Sequence, residues 1–162
     1  MRNKFLVALA LITMFLTSTC WASIPESELY IGGIGSPMTS GEVRDIYGDP
    51  YQLLASGNNH ALWKGDVKSY AYGEQKSFKI TFVDDKVIHV MTTANNGLRT
   101  PAGIGVKTEM TDVLENYGEP DDIVDETRWF YHIEENESIG MVITFDKETN
   151  KVKEIRVGNF DT

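Results

Sequence analysis

Cysteine is all but missing from this 162-residue chain, where Cys20 stands alone. No disulfide can form within it, and no thiolate metal site can be assembled. Histidine is nearly as scarce. His60, His89 and His132 lie far apart, and none sits at a metal-ligand spacing from a partner, so they read as surface or strand-edge residues. The chain has no Gly-x-Ser-x-Gly elbow and no twelve-residue calcium loop. Gly33-Ile34-Gly35 lacks the third glycine and the preceding strand of a dinucleotide site. No catalytic residue, metal or cofactor is therefore assigned, and the chain is not expected to be an enzyme. Basic residues are outnumbered, 15 Lys and Arg against 24 Asp and Glu, for a net charge of −9. Phosphate binding relies on clustered cations, so nucleic acid is not expected as a partner. Many of the acids, Asp121, Asp122, Asp125, Glu126, Glu134, Glu135 and Glu137, fall where turns are expected and read as solvated surface.

What is present begins with the amino terminus. Arg2 and Lys4 precede a predominantly apolar run from Phe5 to Leu16, and Cys20-Trp21-Ala22 forms a small-residue cleavage signal. Residues 1–22 are thus expected to be a secretory signal peptide, leaving Ser23 as the first mature residue and sending the protein to the periplasm or beyond. The run is too short to span a bilayer, which needs about 20 residues, so no transmembrane segment survives processing. A lipid anchor at Cys20 is not expected, because Leu16 stands one position too far upstream for a lipobox. Loss of the two basic residues takes the net charge to −11.

The mature part repeats itself. Gly33-Ile34-Gly35 recurs as Gly103-Ile104-Gly105, and the same offset aligns Val43, Tyr47, Gly48 and Pro50 with Val113, Tyr117, Gly118 and Pro120. Farther on, Tyr70-Ala71-Tyr72 answers to Trp129-Phe130-Tyr131, and Ile80-Thr81-Phe82 to Ile143-Thr144-Phe145. The spacing predicts repeat 1 over 23–93, a linker over 94–101 and repeat 2 over 102–162, with a longer connection from about Tyr51 to Ser69 in the first copy.

Each copy opens on a short helix. Thr39 and Glu42 stand at capping-box spacing, with Val43, Ile46 and Tyr47 on one apolar face. Thr108 is the expected cap in copy two, with Met110, Val113, Leu114 and Tyr117 as its buried stripe. Gly48 and Gly118 supply the left-handed stop, and Pro50 and Pro120 prevent continuation. Alternation at Phe78, Ile80 and Phe82, and at Met141, Ile143 and Phe145, predicts hairpins that turn at Asp84-Asp85-Lys86 and around Asp146 to Asn150. The expected fold class is α+β, two tandem copies of a short helical layer on a 3–4-stranded antiparallel sheet.

The order helix, Gly-x-Pro, aromatic pair, then a hairpin carrying Ile-Thr-Phe resembles the superfamily of β-lactamase inhibitor proteins and BamE-type (SmpA/OmlA) lipoproteins. That resemblance implies two sheets facing a protein partner as one concave surface. The chain lacks the bracing cysteines of the inhibitors and the lipobox of the lipoproteins, so only the fold and a binding face carry over. Five aromatic residues are the candidates for partner binding. Tyr70 and Tyr72 share a strand face, as do Trp129 and Tyr131, and Trp63 lies in the longer connection. They serve as a contact surface if they face away from the helices, and as core if they face them. The expectation is an exported, non-enzymatic protein-binding module, inhibitor-like in the sense that the resemblance implies; the alternative is a structural or assembly protein of the bacterial cell envelope.

Overall fold

Helix α1 (Ser40–Tyr47) starts where the capping box places it. The Thr39 hydroxyl accepts from the Glu42 N–H at 3.3 Å, and the Glu42 carboxylate accepts from the Thr39 N–H at 2.7 Å. That backbone donor holds the Glu42 carboxyl below its usual range. Gly48 ends the helix at φ 75°, a region costly for any residue with a Cβ. Of the expected apolar face, Val43 is buried and Tyr47 half-buried, but Ile46 is exposed. Helix α2 (Met110–Tyr117) buries Val113 and Tyr117, packs Met110 and Leu114 against the core, and stops at Gly118 with φ 74°. Its N-cap is Glu109 rather than Thr108, whose hydroxyl instead accepts from the Gly105 N–H at 3.0 Å.

These elements come from a computed structural model that describes residues 23–58 and 63–160. The signal-peptide stretch and Cys20 lie outside the described residues. A small hairpin of β1 (Tyr30–Ile31) and β2 (Ile34–Gly35) precedes α1. Strands β3 (Gln52–Asn58), β4 (Asp66–Tyr72), β5 (Phe78–Val83) and β6 (Lys86–Thr92) follow it. After α2 come β7 (Asp122–Val124), β8 (Arg128–Ile133), β9 (Asn136–Phe145) and β10 (Val152–Asn159). The β5–β6 turn is a two-residue turn in which Asp84 and Asp85 both have positive φ, 48° and 65°, the geometry that matches the twist of a hairpin.

The fold class expected from sequence is corrected here. The protein is mostly β, with two eight-residue helices among the described residues and no helical layer over separate 3–4-stranded sheets. The two groups of four strands fuse into one eight-stranded antiparallel sheet, ordered β3-β4-β5-β6-β10-β9-β8-β7. The fusion is the β6–β10 ladder, which sets Thr92 opposite Ile155 and Val90 opposite Val157. All four side chains are buried, so pairing satisfies two otherwise open edges and makes one continuous core at once. The long connection expected from Tyr51 to Ser69 is also corrected, since β3 occupies its first part.

About this centre the ladders correspond. Tyr70 stands opposite Ile80 as Trp129 stands opposite Ile143. Tyr47 meets Tyr72 with ring centroids 5.7 Å apart, and Tyr117 meets Tyr131 at 5.6 Å. The Tyr72 hydroxyl donates to the Gly48 carbonyl at 3.2 Å, and that of Tyr131 to the Gly118 carbonyl at 3.1 Å. Each strand thereby ties the carbonyl at the end of a helix.

Candidate functional site

The aromatic residues singled out from sequence do not form a solvent-facing set. Tyr70, Tyr72, Trp129 and Tyr131 are buried on the helix side of the sheet, where Tyr70 packs on Phe82 at 4.9 Å and Trp129 on Phe145 at 4.5 Å. Their shared face is the core face, and burial pushes the Tyr72 phenol up to about 12 and raises those of Tyr117 and Tyr131 as well. Trp63 is half-buried between β3 and β4. His60 lies outside the described residues.

Three other groupings carry polar chemistry. At the start of α1, the Lys68 ammonium donates to Ser40 Oγ at 2.8 Å and to Asp85 Oδ1 at 2.5 Å, and Ser40 Oγ donates to the same carboxylate at 2.5 Å. Serine beside lysine is the residue pair of some hydrolases. Here the ammonium is engaged by Asp85, whose carboxyl is held low by Lys68 and then by Ser40, and Ser40 is 7% exposed. An ammonium in such a pair has no lone pair with which to take the serine proton. The cluster fastens α1 to the β5–β6 turn, with a carboxylate at the positive end of the helix.

On the sheet face away from the helices, His89, Phe160, Phe130 and His132 form a row. Successive ring centroids lie 5.4, 5.1 and 4.5 Å apart. His132 Nε2 lies 3.2 Å from Asp122 Oδ2, and its backbone N–H donates to Asp121 at 2.7 Å. Burial, with the Arg156 charge second, lowers the His89 imidazole to about 4. The rings are spent on one another. Among the described residues, no three His, Cys, Asp or Glu side chains converge on a metal position. A shallow cleft of about 510 Å³ between the linker and α2 mixes Arg99 and Lys107 with Glu109 and Asp112, and Arg99 donates to the Gly103 carbonyl at 2.7 Å.

The exposed apolar side chains concentrate at the two ends of the sheet. Beside and along β3, Tyr51 is 61%, Leu53 52% and Leu54 39% exposed; on β7, Ile123 and Val124 are exposed. Leu53 and Ile123 occupy matching places, opposite Tyr70 and Trp129 respectively. The two ends differ in charge and length. No Asp, Glu, Lys or Arg occurs from Tyr51 to Asn58, and β3 runs seven residues. β7 has three residues and is surrounded by Asp121, Asp122, Asp125 and Glu126. Charged residues and shortness are among the ways proteins blunt a sheet edge, and β3 has neither, although its register shifts between Leu53 and Ala55. Among the described residues β3 pairs with β4 alone, so its outer main-chain groups stay outside the ladder. No sequence signal beyond the uncharged run marks this edge.

No helix among the described residues is long and apolar enough to cross a membrane. No protein-family model matches the chain, and no curated protein matches it. Its fold resembles that of solved bacterial structures, among them two proteins from Gram-positive species. An extracellular protein containing an SCP domain from Bacillus anthracis superposes with a TM-score of 0.58 at 11% identity, covering 76% of this chain and 43% of that one. A cysteine-rich secretory protein from Staphylococcus aureus superposes with a TM-score of 0.50, also at 11% identity, covering 78% and 46%. The chain spans less than half the length of either structure. These neighbours, together with the single fused sheet, overturn the resemblance to the β-lactamase inhibitor and BamE-type superfamily: the shared pattern of helix, Gly-x-Pro and hairpin reflects local structure that another fold also uses.

Proposed function

We propose that this chain is an exported, non-enzymatic protein-binding module that takes up an extended segment of a protein along its β3 edge. The observation that carries the reading is the pairing of an open seven-residue strand with exposed Tyr51, Leu53 and Leu54 and no charge from Tyr51 to Asn58. Strand addition of this kind draws affinity from main-chain hydrogen bonds and selectivity from alternate side chains. Export is supported by the Arg2 to Ala22 pattern and by two fold neighbours described as extracellular and secretory. The matched pairs Tyr47–Tyr72 and Tyr117–Tyr131 support duplication of one unit over 23–93 and 102–162 as the origin of the sheet.

The test is an amide-shift titration of the labelled protein with short uncharged peptides of alternating apolar residues. Shifts concentrated at 52–58 are expected, with β7 unmoved. Shifts confined to other strands, or none at saturating peptide in a sample that sediments as a monomer, would overturn the assignment of the edge. For export, the secreted product should begin at Ser23; recovery with residues 1–22 attached would contradict it.

A further inference from the structure

The occupant of the β3 edge can be argued from charge and symmetry, and the argument rests on the strand-addition reading above. We infer that β3 pairs antiparallel with β3 of a second copy, joining two eight-stranded sheets across a two-fold axis. Such an interface sets the residues at the axis opposite themselves and the ends of the strand opposite each other. A charged residue near its middle therefore meets its own like. β3 carries no charge from Tyr51 to Asn58, and so meets this condition along its whole length. The other end fails it, because Asp121, Asp122, Asp125 and Glu126 of one copy would approach those of the next. With a net charge of −9 per chain, −11 once residues 1–22 are removed, copies repel at most other approaches, which leaves the neutral edge as the favoured meeting place.

Covering supports the same occupant. Tyr51, Leu53 and Leu54 are exposed in the single chain and would be covered in part by the partner strand. A long neutral edge without lysine or proline is a template for open-ended association. A two-fold pairing covers this edge in each copy and stops there. The acidic flanks of β7 then keep the finished dimer from growing.

Sedimentation equilibrium of the exported protein tests this. Twice the monomer mass is expected at micromolar concentration. Leu53→Glu and Tyr51→Glu should each weaken association by at least about tenfold, since each places two carboxylates, one per copy, in an apolar seam. Ile123→Glu, on the opposite edge, should leave the mass unchanged. Both positions, Leu53 on β3 and Tyr51 just before it, are more than half exposed, so the variants keep the fold, which their thermal unfolding checks. A wild-type monomer at every concentration, or a dimer that both β3 variants leave intact, would overturn the inference. A monomer whose 52–58 amides still shift with peptide removes the second copy and keeps strand addition. A monomer with no such shift removes both.

Discussion

The Tyr117 hydroxyl lies 2.6 Å from Thr100 Oγ1 and 2.9 Å from a Glu28 carboxylate oxygen, beneath a ring that packs on Tyr131. Tyr117→Phe should cost about 1–2 kcal/mol through the polar contacts it strands, and Tyr117→Ala about 3–5 kcal/mol, because a cavity is added. Denaturant unfolding measures both; equal costs would show that the ring contributes nothing. His89 gives a pH dependence with a defined sign. Its imidazole titrates near 4 in the folded chain against an ordinary 6.5, so below pH 6.5 the unfolded chain holds the extra proton. Stability should fall as pH drops from about 6.5 to about 4, by up to about 1.4 kcal/mol per unit. His89→Gln should flatten that limb, and an unchanged slope would assign it to another group. Several residue roles were legible in the sequence. Thr39 with Glu42, and Gly48 with Gly118, announce their caps by spacing alone. Period two placed Tyr70 with Tyr72 and Trp129 with Tyr131, but could not say which face of the sheet meets the helices. Ile46 fails for a similar reason: on an eight-residue helix Val43 turns fully onto the sheet and Tyr47 only in part, which leaves Ile46 outside.

Among the elements, glycines separate two kinds of constraint. A Cβ on Gly48 would meet open space, so the cost of Gly48→Ala is that of its backbone at φ 75° and ψ −165°, a region used almost only by glycine, about 1–3 kcal/mol. A Cβ on Gly140 would run into the Tyr131 carbonyl on the neighbouring strand. Gly140→Val should therefore disrupt the β8–β9 ladder and cost more than Gly48→Ala, a ranking that thermal unfolding of the two variants decides. The β5–β6 and β9–β10 hairpins were legible because Phe78, Ile80 and Phe82, and Met141, Ile143 and Phe145, alternate cleanly beside turn residues. β3 was not. Gln52-Leu53-Leu54-Ala55-Ser56-Gly57-Asn58 has no alternation, and its register shifts between Leu53 and Ala55. A bulged outer strand with a weak apolar pattern reads as a connection. The candidate site was hidden for that reason, since its signal is the absence of charge on an element the pattern does not reveal.

For the whole molecule, the decisive feature joins residues more than sixty positions apart. Thr92 with Ile155, and Val90 with Val157, turn two hairpin groups into one sheet, and no local pattern specifies that pairing. The fusion also determines which strands remain outermost, and so which edge is open to a partner. Amide hydrogen exchange, resolved by residue, reads it directly. Strands buried in the middle of a sheet open only with the whole fold, while outer strands open locally. The slowest amides should lie in β6 and β10, with rates rising outward to β3 and β7. Two separate protection maxima in β4–β5 and β8–β9, with fast exchange along β6 and β10, would contradict a single sheet.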